Sequence, residues 1–220
     1  MSRVGHEPAR AAGRSRPRAR WPALTLSALT LLAGCAHLTP PPPAGPAVNS
    51  AAQHRQHAEA VTALTQWRAR GRLAVQRADT GFSADLDWRQ APQSFVLRVM
   101  APLNGGTFSL IGGSAGVSVT TPKGVTDTAG DADELMRRHL GWSVPLGGVG
   151  FWLRGVPDPH QEATQEQLDA HGRWTDFAQA GWRISILEYH VEDGLALPAR
   201  LFLRQGDLQV RMAIKQWEHR

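Results

Sequence analysis

An α+β fold built on one curved antiparallel sheet, with helices over its open face, is what this sequence predicts. Three observations lead there. Apolar residues recur at every second position from residue 73 to residue 121, the period lengthens to helical spacing between residues 131 and 153, and it returns to two from residue 182 to residue 214. Strands, a helical insertion and further strands, with no internal repeat, describe one domain.

The elements follow in order, with the folded part expected over residues 53–220. Ala60 and Val61 are followed by Leu64 and Trp67 at three- and four-residue spacing, which predicts an amphipathic helix that includes Trp67. After Gly71, Leu73 and Val75 share one face. Phe82, Ala84, Leu86 and Trp88 alternate with Ser83, Asp85 and Asp87, and Phe95, Leu97 and Val99 alternate with Val96 and Arg98. Reversals at Asp79-Thr80-Gly81 and Ala91-Pro92 make these consecutive antiparallel strands with one apolar face. Two shorter strands are expected at residues 107–111 and 117–121. Residues 127–134 read as the solvated, acid-rich start of a helix ending in Arg137-Arg138-His139, an order that complements the helix dipole. Val144-Pro145 opens a further helix carrying Phe151, Trp152 and Leu153 toward Gly155-Val156-Pro157, although Gly147-Gly148-Val149-Gly150 is poor helix material. Strands resume with Trp182, Ile184 and Ile186, with Leu201 and Leu203, and with Leu208, Val210, Met212 and Ile214.

The chain looks basic, with 24 Lys and Arg against 19 Asp and Glu, but six of those bases and one of those acids precede Cys35. The remainder carries 18 of each, so no basic body is left to hold nucleic acid. Residues 1–34 have the grammar of an export signal: an arginine-rich start, then an apolar run over residues 23–33. That run is too short for the roughly 20 residues of a membrane-spanning helix. It ends Leu32-Ala33-Gly34-Cys35, which resembles the bacterial lipobox and implies that Cys35 carries the lipid anchor. The alternative is a buried cysteine that happens to follow a signal core. Ala36 stands where an aspartate would resemble the signal for retention in the inner membrane, so the resemblance implies passage to the outer membrane. Residues 35–52, with Pro40-Pro41-Pro42-Pro43 and Pro46, are expected to be an extended tether.

Few residues suggest covalent chemistry. Gly112-Gly113-Ser114-Ala115-Gly116 matches the G-x-S-x-G nucleophile elbow, but that elbow needs a helix after the serine, whereas an alternating Val117-Ser118-Val119 run follows. A glycine-rich hairpin turn is the simpler reading. His54 and His57 are spaced as a metal pair without a marked third ligand, so no metal is assigned. No phosphate-binding loop and no other cofactor motif is present in the sequence. The tryptophans stand out: seven of the eight follow Cys35, and as a set they either fill a core or line an apolar cavity.

A family resemblance covers nearly all of the chain after Cys35. Trp67-Arg68-Ala69-Arg70-Gly71-Arg72-Leu73-Ala74, Leu86-Asp87-Trp88, Ala101-Pro102-Leu103, Leu140-Gly141-Trp142-Ser143-Val144-Pro145, Trp152-Leu153-Arg154-Gly155-Val156-Pro157, Gly181-Trp182 and Leu197-Pro198-Ala199 resemble the outer-membrane lipoprotein receptor family LolB. That family implies an incomplete antiparallel β-barrel closed by helices around a hydrophobic cavity. It also implies that the chain accepts triacylated lipoproteins from a LolA-like periplasmic carrier and releases them into the outer membrane, as a lipid-anchored monomer facing the periplasm and not as an enzyme. Trp88, Phe95, Trp142, Trp152, Trp182 and Tyr189 are the candidate cavity wall. Pro102 and Asn104-Gly105-Gly106 make a tight reversal that leaves Leu103 either protruding or folded back as a loop contact; the family implies that it protrudes and helps deliver cargo to the membrane. Rival readings are a lipid-anchored hydrolase using Ser114 and a passive envelope scaffold.

Overall fold

A computed structural model describes residues 50–103 and 105–220, which fall within one compact unit. The expected export signal, Cys35, most of the tether and Asn104 lie outside the described residues. The described residues open with helix α1 (Ser50–Thr62), which takes up the last residues assigned to the tether. Six strands follow: β1 (Trp67–Arg77), β2 (Thr80–Ala91), β3 (Ser94–Met100), β4 (Thr107–Gly113), β5 (Gly116–Thr120) and β6 (Thr126–Ala129). Helices α2 (Ala132–Leu140) and α3 (Leu146–Leu153) come next, and then strands β7 (Thr164–Leu168), β8 (Trp174–Gln179), β9 (Trp182–Glu192), β10 (Leu195–Gln205) and β11 (Leu208–His219).

All the strands join one antiparallel sheet in the order β6-β5-β4-β3-β2-β1-β11-β10-β9-β8-β7. The first and last strands therefore pair at its centre, β1 on β11, while β6 and β7 are left as edges. Both helices of the insertion, α2 and α3, bridge in sequence between those two edges. The result is the α+β fold on one antiparallel sheet that the alternation predicts, in the incomplete-barrel form that the family resemblance implies. Curvature has a local cause in β1. The register against β11 shifts between Arg70 and Gly71, a bulge, and a Cβ on Gly71 would lie 2.1 Å from the Ala213 carbonyl oxygen. Only glycine fits there.

One face of the sheet carries the core. Trp67, Ala69, Leu73 and Val75 of β1, Ala84, Leu86 and Trp88 of β2, and Leu208, Val210, Met212 and Ile214 of β11 are all buried. Their neighbours in sequence form cross-strand ion pairs on the other face, with Arg68 bidentate to Asp87 at 2.7 Å and Arg72 to Asp85 at 3.4 Å. A one-residue slip would exchange these two sets, so the register is specified twice.

Four sequence expectations change. Trp67 opens β1 and is not on the helix, because α1 ends at Thr62 and only Val61 of the spaced set is a buried helical residue. Phe82 is 44% exposed although its alternation matched the core face. Residues 127–129 belong to β6 and not to a helix start, and α2 begins behind the side chain of Asp131, which accepts from the Glu134 N–H at 2.7 Å. Strands β7 and β8 were not anticipated; β7 is exposed throughout, so it offers no apolar period to read. The glycine-rich stretch 147–150 does form a helix, since Leu146, Val149, Trp152 and Leu153 are buried and tertiary packing outweighs propensity.

Asp127 ties β6 to α2 through Arg138 at 2.6 Å and His139 at 3.0 Å, and those bonds hold its carboxyl down at about 2. A carboxyl with a depressed folded value stabilises the fold above its unfolded value of about 4, and that contribution is lost as pH falls through the folded value. Asp127→Asn is therefore expected to flatten the stability profile between about pH 4 and pH 2 while leaving its neutral-side shape intact, as read from melting temperature against pH.

Candidate functional site

The apolar side of the sheet holds a row of rings. Trp217, Trp67, Trp88 and Phe95 follow one another across β11, β1, β2 and β3, with centroids 5.7, 5.5 and 6.2 Å apart. Ala69 sits in register with both Trp88 and Trp217, so a small side chain leaves space for two indoles. Helix α3 crosses this row at Gly150, where a Cβ would come within 3.8 Å of Trp88 and 4.0 Å of Trp67.

Between the row and the helix lies a pocket of about 370 Å³. Trp67, Trp88, Phe95, Leu146 and Phe151 supply its apolar wall, and Arg154 is the one charged side chain among the residues that line it. A second depression, of about 430 Å³, lies on the other face of the sheet among Arg72, Leu187, Arg200 and Arg211. Its arginine rim suits water-facing contacts better than enclosure of a chain, so the aromatic pocket is the stronger candidate site.

The six candidate wall residues divide. Trp88 and Phe95 line the pocket. Trp152 is fully buried and packs on Trp182 at 6.3 Å, and its indole N–H donates to Gln179 Oε1 at 2.7 Å, so both are packed core. Trp142 is half-buried between α2 and α3, against the core. Tyr189 lies beneath α1: its hydroxyl donates to the Trp174 carbonyl at 2.8 Å, the Arg173 guanidinium sits 4.6 Å over its ring, and burial raises its pKa. Trp67, Phe151 and Arg154 were missed as pocket residues. Helical spacing had claimed Trp67, while a lone arginine after the apolar run 148–153 was the available signal for Arg154.

His54 and His57 fasten α1 to the sheet. Each donates a ring N–H to a backbone carbonyl, His54 to Gly172 at 2.7 Å and His57 to Ala196 at 2.9 Å, and burial lowers the pKa of His57. Among the described residues no group of three metal-ligating side chains comes together. Ser114 stands exposed in the two-residue turn between β4 and β5, with Gly113 paired to Gly116, so a strand follows it where the elbow would need a helix.

Leu103 occupies the β3–β4 loop, where the Gly105 N–H returns to the Pro102 carbonyl at 3.1 Å. It is 98% exposed and has φ of 54°, a left-handed backbone that costs a branched residue of order 1 kcal/mol or more. The turn thus directs an apolar side chain outward. Leu103 follows the C-terminal end of β3, whereas Phe95 sits at its N-terminal end, so tip and pocket lie at opposite ends of that strand.

An open antiparallel barrel with a helix-covered, aromatic-walled pocket defines the class of proteins that hold an apolar ligand inside a curved sheet. Comparison with known proteins narrows the class. Residues 65–217 match the model of the family described as Outer membrane lipoprotein LolB. The chain is 33% identical over 195 residues to an outer-membrane lipoprotein LolB of Nitrosococcus oceani, covering 89% of this chain and 96% of that one. It is 36% identical over 190 residues to that of Alkalilimnicola ehrlichii, covering 86% and 92%. A solved LolA superfamily protein from Nitrosomonas europaea shares the fold, with a TM-score of 0.50 at 9% identity over 79% of this chain and 94% of its own. The chain belongs to the outer membrane lipoprotein LolB family.

Proposed function

We propose that this protein is the outer-membrane receptor that takes triacylated lipoproteins from a LolA-like periplasmic carrier and inserts them into the outer membrane. The aromatic pocket under α3 carries this reading. Acyl chains gain about 0.8 kcal/mol for each methylene removed from water, so a lipidated cargo crosses an aqueous space only inside an apolar container. The chain has no nucleotide-binding loop, so transfer runs downhill, with the receptor holding cargo more tightly than the carrier and less tightly than the bilayer. The protein acts as a monomer on the periplasmic side and catalyses no covalent step. Ser114→Ala is accordingly expected to behave like the parent in cargo transfer.

The transfer test follows a labelled lipoprotein from carrier to receptor to liposome. Trp88→Ala should weaken capture at the first step; unchanged capture would remove the pocket from the pathway. The address is a separate matter. Among the described residues no helix is long and apolar enough to cross a membrane. Attachment through a lipid on Cys35 rests on the lipobox-like Leu32-Ala33-Gly34-Cys35. Cys35→Ala is expected to yield an unanchored protein, and Ala36→Asp to redirect it to the inner membrane, both read by membrane fractionation. Retention of Cys35→Ala in the outer membrane after a salt wash would show that something other than the lipid holds it.

A further inference from the structure

Arg154 is only 6% exposed, yet among the described residues no carboxylate pairs with it. Burial alone pulls its pKa down to about 10, so it remains a cation at neutral pH. Its Nε donates to the Gly150 carbonyl at 3.1 Å, inside α3. Nη1 donates to the carbonyls of Val61 at 3.1 Å and Leu64 at 2.6 Å, which close the C-terminal end of α1. The guanidinium lies 4.7 Å from the Phe151 ring centre and 5.9 Å from that of Trp67. Nη2 is left over. It has no acceptor among the described residues, and it belongs to the one charged side chain lining the aromatic pocket.

A purely hydrocarbon guest would strip water from that nitrogen and return nothing, which costs free energy. A guest with an oxygen acceptor at one end of its chain would complete the guanidinium while filling the apolar wall. We propose that Nη2 of Arg154 is the polar anchor of the pocket, donating to the carbonyl oxygen at the head of a bound acyl chain. The chemistry is that of an acyl carbonyl, which either an esterified chain or a free fatty acid presents. This deepens the reading of the pocket as an acyl-chain site and rests on it. It also gives that site a polarity, with the carbonyl end held where α1 and α3 meet and the alkyl end against Trp88 and Phe95.

The test uses the intact protein loaded with an environment-sensitive apolar dye, displaced in turn by lauric acid, methyl laurate and dodecane. The acid and the ester are expected to compete about tenfold or more tightly than dodecane, since a hydrogen bond from a charged donor is at stake. In Arg154→Met the three ligands should converge. An acid far tighter than the ester would identify a free carboxylate as the natural guest, whereas equal affinities would identify an ester; either result supports the anchor. Because Arg154→Met also removes the tie between α1 and α3, a second measurement is made on the parent protein. The carbonyl stretch of bound 13C-labelled methyl laurate should fall below its value in dry hydrocarbon. An unshifted band, or equal competition by dodecane, would overturn the anchor while leaving the acyl pocket standing. Failure of all three ligands to displace the dye would overturn both.

Discussion

Leu103→Glu is expected to leave folding and capture of cargo from the carrier nearly unchanged, and to slow release into liposomes at least tenfold. The side chain is 98% exposed, so its replacement takes little from the fold. An apolar tip enters the hydrocarbon edge of a bilayer readily, whereas a carboxylate resists desolvation. For full insertion the swing between the two is about 3 kcal/mol, or roughly a hundredfold in the contact equilibrium. Since Leu103 and the pocket lie at opposite ends of β3, the tip is expected to serve as a separate membrane contact and not as the rim of the pocket. That separation is why capture and release should respond differently. Leu103→Gly makes the same point without a charge. Glycine accepts φ of 54° freely, so this variant should be at least as stable as the parent and still release poorly. An assay in which Leu103→Glu loses capture, or keeps full release, would sink the idea.

Trp152→Ala should have the largest effect on stability. The indole is fully buried against Trp182, and truncating such a residue costs about 3–5 kcal/mol in transfer and cavity terms. Its N–H also supports a buried knot. Gln179 Oε1 accepts from Trp152 at 2.7 Å and from the Asp158 N–H at 2.8 Å, and its Nε2 donates to the carbonyls of Asp158 and Gln161 at 2.9 Å each. This knot joins α3 and the segment after it to β8. A fall in melting temperature on the order of 10 °C is expected for a domain of this size, measured by calorimetry. Trp152→Phe should recover most of the packing and lose the hydrogen bond, giving an intermediate fall. A shift under about 2 °C for Trp152→Ala would mean that the site collapses without cost.

How much could be read beforehand depended on whether a residue's neighbours in sequence were also its neighbours in space. Strands β2, β3, β9, β10 and β11 were legible because one buried face and one wet face write a period of two directly into the chain. Strand β7 was not, because every residue in it is exposed, and β6 was mistaken for a helix start because Asp127 pairs across space with Arg138 and His139. The candidate wall was half legible. Alternation placed Trp88 and Phe95 on the inner face, but the same signal picked out Trp182, which packs solidly against Trp152.

By itself the sequence determined the α+β class, the strand alternation, the α2 charge order, the lipobox-like Leu32-Ala33-Gly34-Cys35 and the turn that carries Leu103, since each is a local pattern of polarity and backbone preference. Tertiary structure alone decided that the first and last strands pair at the centre of the sheet, that Trp67 belongs to the aromatic row, and that Arg154 reaches the carbonyls of Val61 and Leu64 from 93 and 90 residues away. It also decided which tryptophans fill space and which border it. Burial is a property of everything that surrounds a side chain, and the partners that bury these rings come from distant strands and from a helix inserted between the sheet's two edges.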